Sequence, residues 1–233
     1  MSNLQPRSEW KYICTDGQLK LIQSRLDGLL ISDPHSKTNG TYQVHSLYFD
    51  DYRDSCAADN EAGIGIRCKY RLRYYNNDIN TLHLERKSKQ YGSGDKRTCP
   101  VTLSEFHELL AGDFMSVFWN TEEKLLKEFC TLMMTRLFSP KAIIDYERIA
   151  FTEGAANVRI TLDRNITVAN TWQSFLSGSY MKYPIRNENL NILEVKFDRI
   201  LPGWIKNILE SLRIRQTTFS KYYLGRKQLE VLE

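Results

Sequence analysis

The stretch from Arg67 to Arg97 holds the side chains best suited to chemistry in this chain. Arg67, Lys69, Arg71 and Arg73 alternate with Cys68, Tyr70, Leu72 and Tyr74. After the turn NNDIN, His83, Glu85 and Lys87 alternate with Leu82, Leu84 and Arg86. Side chains of a strand point to opposite faces with a period of two, so these residues predict two strands with a cationic face that carries one carboxylate. A row of like charges repels itself and is stabilised by a polyanion or by water over the whole face. Arginine offers a planar fork to two oxygens of an anion, and lysine adds a compact point charge. A solvated face, or an edge protected against aggregation, explains a basic row equally well when the stretch is taken alone.

The rest of the chain must position that face. Its 233 residues suit one domain, here 1–233, with a helical insertion near 102–139. Hydrophobic residues at 42% and aromatic residues at 12% are enough for a core, while the net charge is only +4. A strong positive field therefore has to come from clustering. No apolar run is long enough to span a bilayer, and the opening MSNLQPRSEWKY has no apolar signal core. The five cysteines show neither CxxC nor metal-ligand spacing. Both features suit a reducing, cytoplasmic setting without zinc or obligatory disulfides.

In chain order, RSEWKYIC predicts a first strand, and Thr15 or Asp16 caps a helix over Gly17 to Leu30. Thr41 to Phe49 predicts a strand, and residues 52–62 a short helical turn. A strand near Asp95 to Val101 follows the two basic ones. Helices are predicted from Thr102 or Ser104 through Leu110 and over Thr121 to Leu137. Strands resume at Lys141 to Phe151. NVRITLDRNITVAN predicts a strand, an Asp-Arg-Asn turn and another strand, and Asn191 to Asp198 a further one. Gly203 to Leu212 is helical behind Pro202, and the tail begins extended and ends in a short helix. Charged residues alternate on nearly all strands: Glu9 and Lys11, Glu85 and Lys87, Arg159, and Glu194 and Lys196. This predicts an α+β fold, an antiparallel closed β-barrel of about eight strands with flanking helices. Its charged lumen would hold water or anions, because unpaired buried charge is too costly.

Nine short words give the chain a family resemblance: EWKY at 9–12, SLYFDD at 46–51, RLRYY at 71–75, LERK at 84–87, GDK at 94–96, YERIAF at 146–151, VRITLD at 158–163, LEVK at 193–196 and FSKY at 219–222. Together and in this order they resemble the vacuolar transporter chaperone (VTC) family of polyphosphate polymerase domains, among the CYTH-like triphosphate tunnel metalloenzymes. The resemblance implies a triphosphate tunnel of eight antiparallel strands. It implies a phosphate-gripping set of Lys11, Arg71, Arg73, Lys87, Arg148, Arg159 and Lys221, with Lys96 in the same role and Lys196 beside it. Glu194 matches the metal-binding glutamate, Glu85 is a second candidate, and Mn²⁺ or Mg²⁺ is the implied metal. An internal salt bridge to an arginine is the favoured role of Glu85. The chain departs from the family pattern at Cys99 and Thr218, where the polymerase domains carry lysine, and at Arg7, where the CYTH signature begins with glutamate.

The function implied is a metal-dependent polyphosphate polymerase that moves the γ-phosphate of ATP to a growing chain. Its partners are then ATP and polyphosphate or triphosphate, and a membrane-protein partner for the product is compatible with it. A tripolyphosphatase or nucleoside triphosphatase would use the same grip with water as acceptor. A non-catalytic polyphosphate-binding protein would not need Glu194. Nucleic acid is not expected, because Tyr70 and Tyr74 alternate with the arginines and so lie on the other face. His35, His45, His83 and His107 share no spacing that implies a site.

Overall fold

The computed structural model describes residues 8–33, 40–90, 93–154, 156–185 and 190–232. Arg7 and His35 lie outside the described residues. Strand β1 (Ser8–Cys14) leads into helix α1 (Asp16–Leu26). Thr15 starts α1 with a capping box: its hydroxyl accepts from the Gln18 backbone N–H, and the Gln18 side chain accepts from the Thr15 N–H. The helix ends before the expected Leu30, where Gly28 takes the left-handed conformation at φ 79°. Then come β2 (Ile31–Ser32), β3 (Thr41–Asp50), the short α2 (Ser55–Glu61), β4 (Ile66–Tyr75), β5 (Asp78–Gln90) and β6 (Ser93–Pro100). Three helices follow, α3 (Leu103–Ala111), α4 (Phe114–Asn120) and α5 (Lys124–Arg136). The chain continues through β7 (Ser139–Glu153), β8 (Val158–Ala169), β9 (Tyr183–Pro184), β10 (Asn191–Phe197), α6 (Gly203–Ser211) and α7 (Lys221–Leu232).

The strands form one antiparallel sheet of ten, in the order β1-β10-β8-β7-β3-β4-β5-β6, with β2 beside β7 and β9 beside β8. This corrects the expected closed barrel, because the order is an open path that ends at β1 and at β6. The outer edge of β1 is taken by a later segment of the chain. Tyr12 bridges Gln216, and the Thr217 N–H donates to the Lys11 carbonyl at 2.8 Å. Alternation fixes which face a side chain occupies, but both open and closed sheets satisfy it. A second correction concerns β8. The expected Asp-Arg-Asn turn is absent, and one strand runs through it with Asn165 at φ 53°. Asparagine tolerates that conformation, so the strand absorbs the irregularity without reversing.

The chain divides into two compact units. The first takes the described residues within Met1–Gln43, Tyr146–Ile166 and Pro184–Phe219. On one side of its strands, Tyr12, Ile149, Ile160, Leu162, Leu193 and Val195 pack under Leu19, Ile22, Ile205 and Leu209 of α1 and α6. The second unit takes Val44–Asp145, Thr167–Tyr183 and Ser220–Glu233. There Phe129 of α5 meets Phe49 at 4.9 Å and Tyr70 at 5.6 Å between ring centroids. In the first unit one sheet face is thereby committed to α1 and α6, and in the second the Phe49 and Tyr70 face is committed to α5.

Helix α7 approaches the sheet closely in the second unit. A Cβ at Gly225 would overlap the tip of Ile144 and lie 3.2 Å from Cγ2 of Val168. Gly225→Val adds three carbons where the first does not fit, and a β-branched residue brings little helical advantage. The variant is expected to lose about 1–3 kcal/mol, the range for overpacking, in urea unfolding followed by circular dichroism. An unchanged midpoint would show that α7 moves away at no cost.

Candidate functional site

In the second unit the basic row lies on the face opposite α5, as the alternation predicts, and α7 meets the sheet on the same face as the row, with Tyr222 stacked on Tyr48. The register pairs Tyr48 with Arg71 and Ser46 with Arg73 between β3 and β4. Between β4 and β5 it pairs Lys69 with Lys87, Arg71 with Glu85 and Arg73 with His83. Between β5 and β6, Lys87 pairs with Lys96. Glu85 is the centre of this set and is 1% exposed. Arg71 Nε donates to its Oε2 at 2.6 Å, Lys96 Nζ lies 2.6 Å from Oε1, His83 Nε2 lies 3.1 Å from Oε1, and Arg73 Nη1 lies 3.7 Å from Oε2. Burial alone pushes the Glu85 carboxyl up, but the charges of Arg71, Arg73 and Lys96 and the His83 hydrogen bond outweigh it. They hold it far below the usual carboxylate range. Glu85 is therefore the internal ion-pair carboxylate that its row suggested.

The other cations of this unit divide in their placement. Arg73 is buried and also donates Nε to Ser46 Oγ at 2.9 Å. Lys69 reaches Asn60 Oδ1 at 2.9 Å and Ser220 Oγ at 2.8 Å, and so links β4 to α2 and to the start of α7. Lys87 is exposed, and Lys221, half-buried, is the first residue of α7. Arg86 lies on the α5 side, donating to both oxygens of Glu128 at 2.8 and 2.9 Å, with Tyr70 donating to the same carboxylate.

In the first unit a second charged face lies opposite the apolar core. Lys11 pairs with Glu194 and Glu9 with Lys196 between β1 and β10, while Glu194 pairs with Thr161 and Lys196 with Arg159 between β10 and β8. Glu194 is bridged by Lys196 at 2.7 Å and by Lys11 at 3.7 Å. Lys11 also donates to the Phe219 carbonyl at 3.2 Å. Arg159 donates to Asp33 at 2.7 Å and to the Tyr42 hydroxyl at 3.2 Å. Burial pushes the Tyr42 phenol up to about 12 despite the nearby charges of Arg148 and Arg159. Arg148 grips Asp163 with both arms of its fork, at 2.6 and 2.7 Å, over the Tyr146 ring. Its burial disfavours the charge, but Asp163 overrides this and holds the guanidinium well above its ordinary range.

The structure thus gathers Arg71, Arg73 and Lys96 around Glu85, with Lys87 alongside in register. Separately, it places Lys11, Arg148, Arg159, Glu194 and Lys196 on the charged face of the first unit. Sequence reasoning missed the side chains that hold the arginines: Tyr48, Ser46, Asp163 and Asp33. Asp163 was accessible, since it stands two and four residues after Thr161 and Arg159 on one strand face. Asp33 was not, because it precedes Arg159 by 126 residues.

Among the described residues, no group of three or more His, Cys, Asp or Glu side chains is placed to hold a metal ion. Glu194 offers one carboxylate, and across the β8 register the buried Thr161 hydroxyl has no hydrogen-bond partner. This donor set does not fit an all-protein cage. It fits a hard cation such as Mg²⁺ that takes one or two protein oxygens and is otherwise bound by water and substrate phosphates. Among the described residues, no helix is long and apolar enough to cross a membrane.

Comparison with solved structures finds the same fold at low sequence identity. A Bacillus halodurans protein provisionally assigned as an adenylate cyclase is 9% identical with a TM-score of 0.55, over 93% of this chain and 94% of its own. The PH1819 protein of Pyrococcus horikoshii is 12% identical with a TM-score of 0.51, over 97% and 99%. A Vibrio parahaemolyticus protein with the same provisional assignment as the first is 8% identical with a TM-score of 0.50, over 94% and 97%. Comparison with curated proteins gives no significant match. Among family models, that of the VTC domain matches residues 6–230.

Proposed function

This chain belongs to the VTC domain family, and from that premise we propose that it is a metal-dependent phosphotransferase that extends polyphosphate from ATP. The observation that carries this reading is the cluster of Arg71, Arg73 and Lys96 on one sheet face, with Lys69 and Lys87 in the same rows. A phosphate chain carries about one negative charge per residue, and several fixed cations match it better than any single pair. The step breaks the bond between the β- and γ-phosphates of ATP and forms one between the γ-phosphorus and the terminal oxygen of the chain, and ADP leaves. Such a transfer needs mainly positioning and charge stabilisation. The chain's cations supply both, with Arg71 and Arg73 preset by Glu85, Tyr48 and Ser46. Glu194, with Thr161 beside it, would hold Mg²⁺ or Mn²⁺, whose chemistry is to neutralise charge on the phosphoryl oxygens. Purified protein incubated with ATP and either metal should yield ADP and long chains on a gel. Orthophosphate without chains would instead assign a hydrolase, and neither product would overturn the reading.

The face assignment has its own test. Arg73→Ala is expected to weaken binding of inorganic tripolyphosphate by about 1.5–3 kcal/mol, the scale of a charged hydrogen bond. Arg86→Ala removes a partner of Glu128 on the α5 side and should leave that affinity nearly unchanged. Calorimetry on both variants, with thermal unfolding checked, decides it: equal losses would contradict the assignment.

A further inference from the structure

We infer that Tyr48 is a positioning residue for the phosphate-binding Arg71, and that Tyr222 of the C-terminal helix holds it in that role. The inference rests on the phosphate-binding reading and goes beyond it, because Tyr48 carries no cation and belongs to a different strand.

Three contacts converge on this phenol. Arg71 Nη1 donates to its hydroxyl oxygen at 2.7 Å, while the same guanidinium reaches Glu85 through Nε at 2.6 Å. The fork of Arg71 is therefore fixed at two points, one on β3 and one on β5. The guanidinium carbon also lies 5.5 Å from the centre of the Tyr48 ring. That ring also stacks on Tyr222, with centroids 5.0 Å apart and planes at 21°. Tyr222 is 1% exposed and donates its own hydroxyl to Asp50 at 2.8 Å. Asp50 is fixed in turn by the backbone N–H groups of Cys56 and Ala57 at the start of α2. Helix α7 thus backs Tyr48, and Tyr48 presets Arg71. An arginine held at two points loses less side-chain freedom when it takes a phosphate oxygen, which is the source of affinity in a preorganised site.

The charge around the phenol gives the arrangement a pH signature. Lys69, Arg71 and Arg73 act on it from β4, Tyr222 faces it from α7, and Asp50 lies on its own strand. Burial pushes the Tyr48 phenol up, but the charges of Arg71 and Arg73, the hydrogen bond from Arg71 and the charge of Lys69 bring it down to about 8. Below that pH the neutral phenol is an acceptor that leaves Arg71 its full charge. Above it the phenolate is a competing anion at 2.7 Å from Arg71.

Tyr48→Phe keeps the ring and its stacking and removes only the oxygen. Binding of inorganic tripolyphosphate is measured by calorimetry at pH 7 and across pH 7 to 9.5, for wild type, Tyr48→Phe, Arg71→Ala and the double variant. At pH 7, Tyr48→Phe should weaken binding roughly tenfold, the scale of one hydrogen bond to a charged group. Added to Arg71→Ala it should cost nothing more, since the residue acts through Arg71. Relative to Tyr48→Phe, the wild type should lose affinity as the pH passes about 8. A merely structural tyrosine would lower the unfolding temperature and add its loss to that of Arg71→Ala. Additive losses, or parallel pH profiles, therefore overturn the inference while leaving phosphate binding intact. Tyr222→Leu, which removes the stack and keeps the Tyr48 oxygen, should reproduce part of the loss, and this arm decides the matter if Tyr48→Phe fails to fold. A wild type that does not bind tripolyphosphate at all overturns the phosphate-binding reading, and this inference with it.

Discussion

Glu194→Gln is expected to abolish metal-dependent consumption of ATP while tripolyphosphate binding survives. Two jobs are separated by this change. The carboxylate lies between Lys196, at 2.7 Å, and Lys11, at 3.7 Å. Replacing it by a neutral amide makes that face more positive, so the hold on a phosphate chain is not weakened by charge. A hard cation, however, needs an anionic oxygen, and glutamine keeps the shape while offering only a carbonyl. Among the described residues, no group of three or more acidic, His or Cys side chains is placed to take over. Turnover should fall roughly 100-fold or more, the size of effect seen when one charge-stabilising contact is lost from a transition state. Tripolyphosphate should still raise the unfolding temperature of the variant, as any ligand of the native state does. Wild-type turnover across a titration of Mg²⁺ and Mn²⁺ would show that Glu194 serves only as a partner of the two lysines.

Much of the local structure was legible because short-range chemistry determines it. Thr15 and Thr102 both cap helices with complete capping boxes, through Gln18 and Glu105. The alternation of Arg67 to Tyr74 and of Leu82 to Lys87 gave the correct faces, and a salt bridge from Glu85 to an arginine was expected, although only the β4–β5 register identifies Arg71 as its partner across the strands. Helix α4 was missed because it has only seven residues, too few to show an apolar stripe, although Asp113 caps it through the Ser116 N–H. The closure of the sheet was not legible either. Whether an edge finds another strand or an irregular segment such as Gln216 and Thr217 is settled by long-range packing. The Asp33 carboxylate was hidden for the same reason: it meets Arg159 only in the folded chain.

Arg148→Met is expected to cost the fold more than any other change to the basic set. Asp163 is 0% exposed, and Arg148 meets it with two hydrogen bonds at 2.6 and 2.7 Å. Methionine fills much of the same space without supplying a donor, so a buried carboxylate loses its bidentate partner. Breaking such a pair from one side costs about 3–5 kcal/mol, since the remaining charge stays desolvated. The loss should appear as a lower midpoint in urea unfolding at neutral pH with an unchanged slope. A second change, Asp163→Leu on top of Arg148→Met, removes both charges and should restore much of the stability, because an apolar pair of similar volume is tolerated where half an ion pair is not. If Arg148→Met costs less than about 1 kcal/mol, the value of an exposed pair, then water reaches Asp163 and the pair is not a buried one. If the double variant is no more stable than the single one, the cost lies in lost packing around the Tyr146 ring and not in the charge.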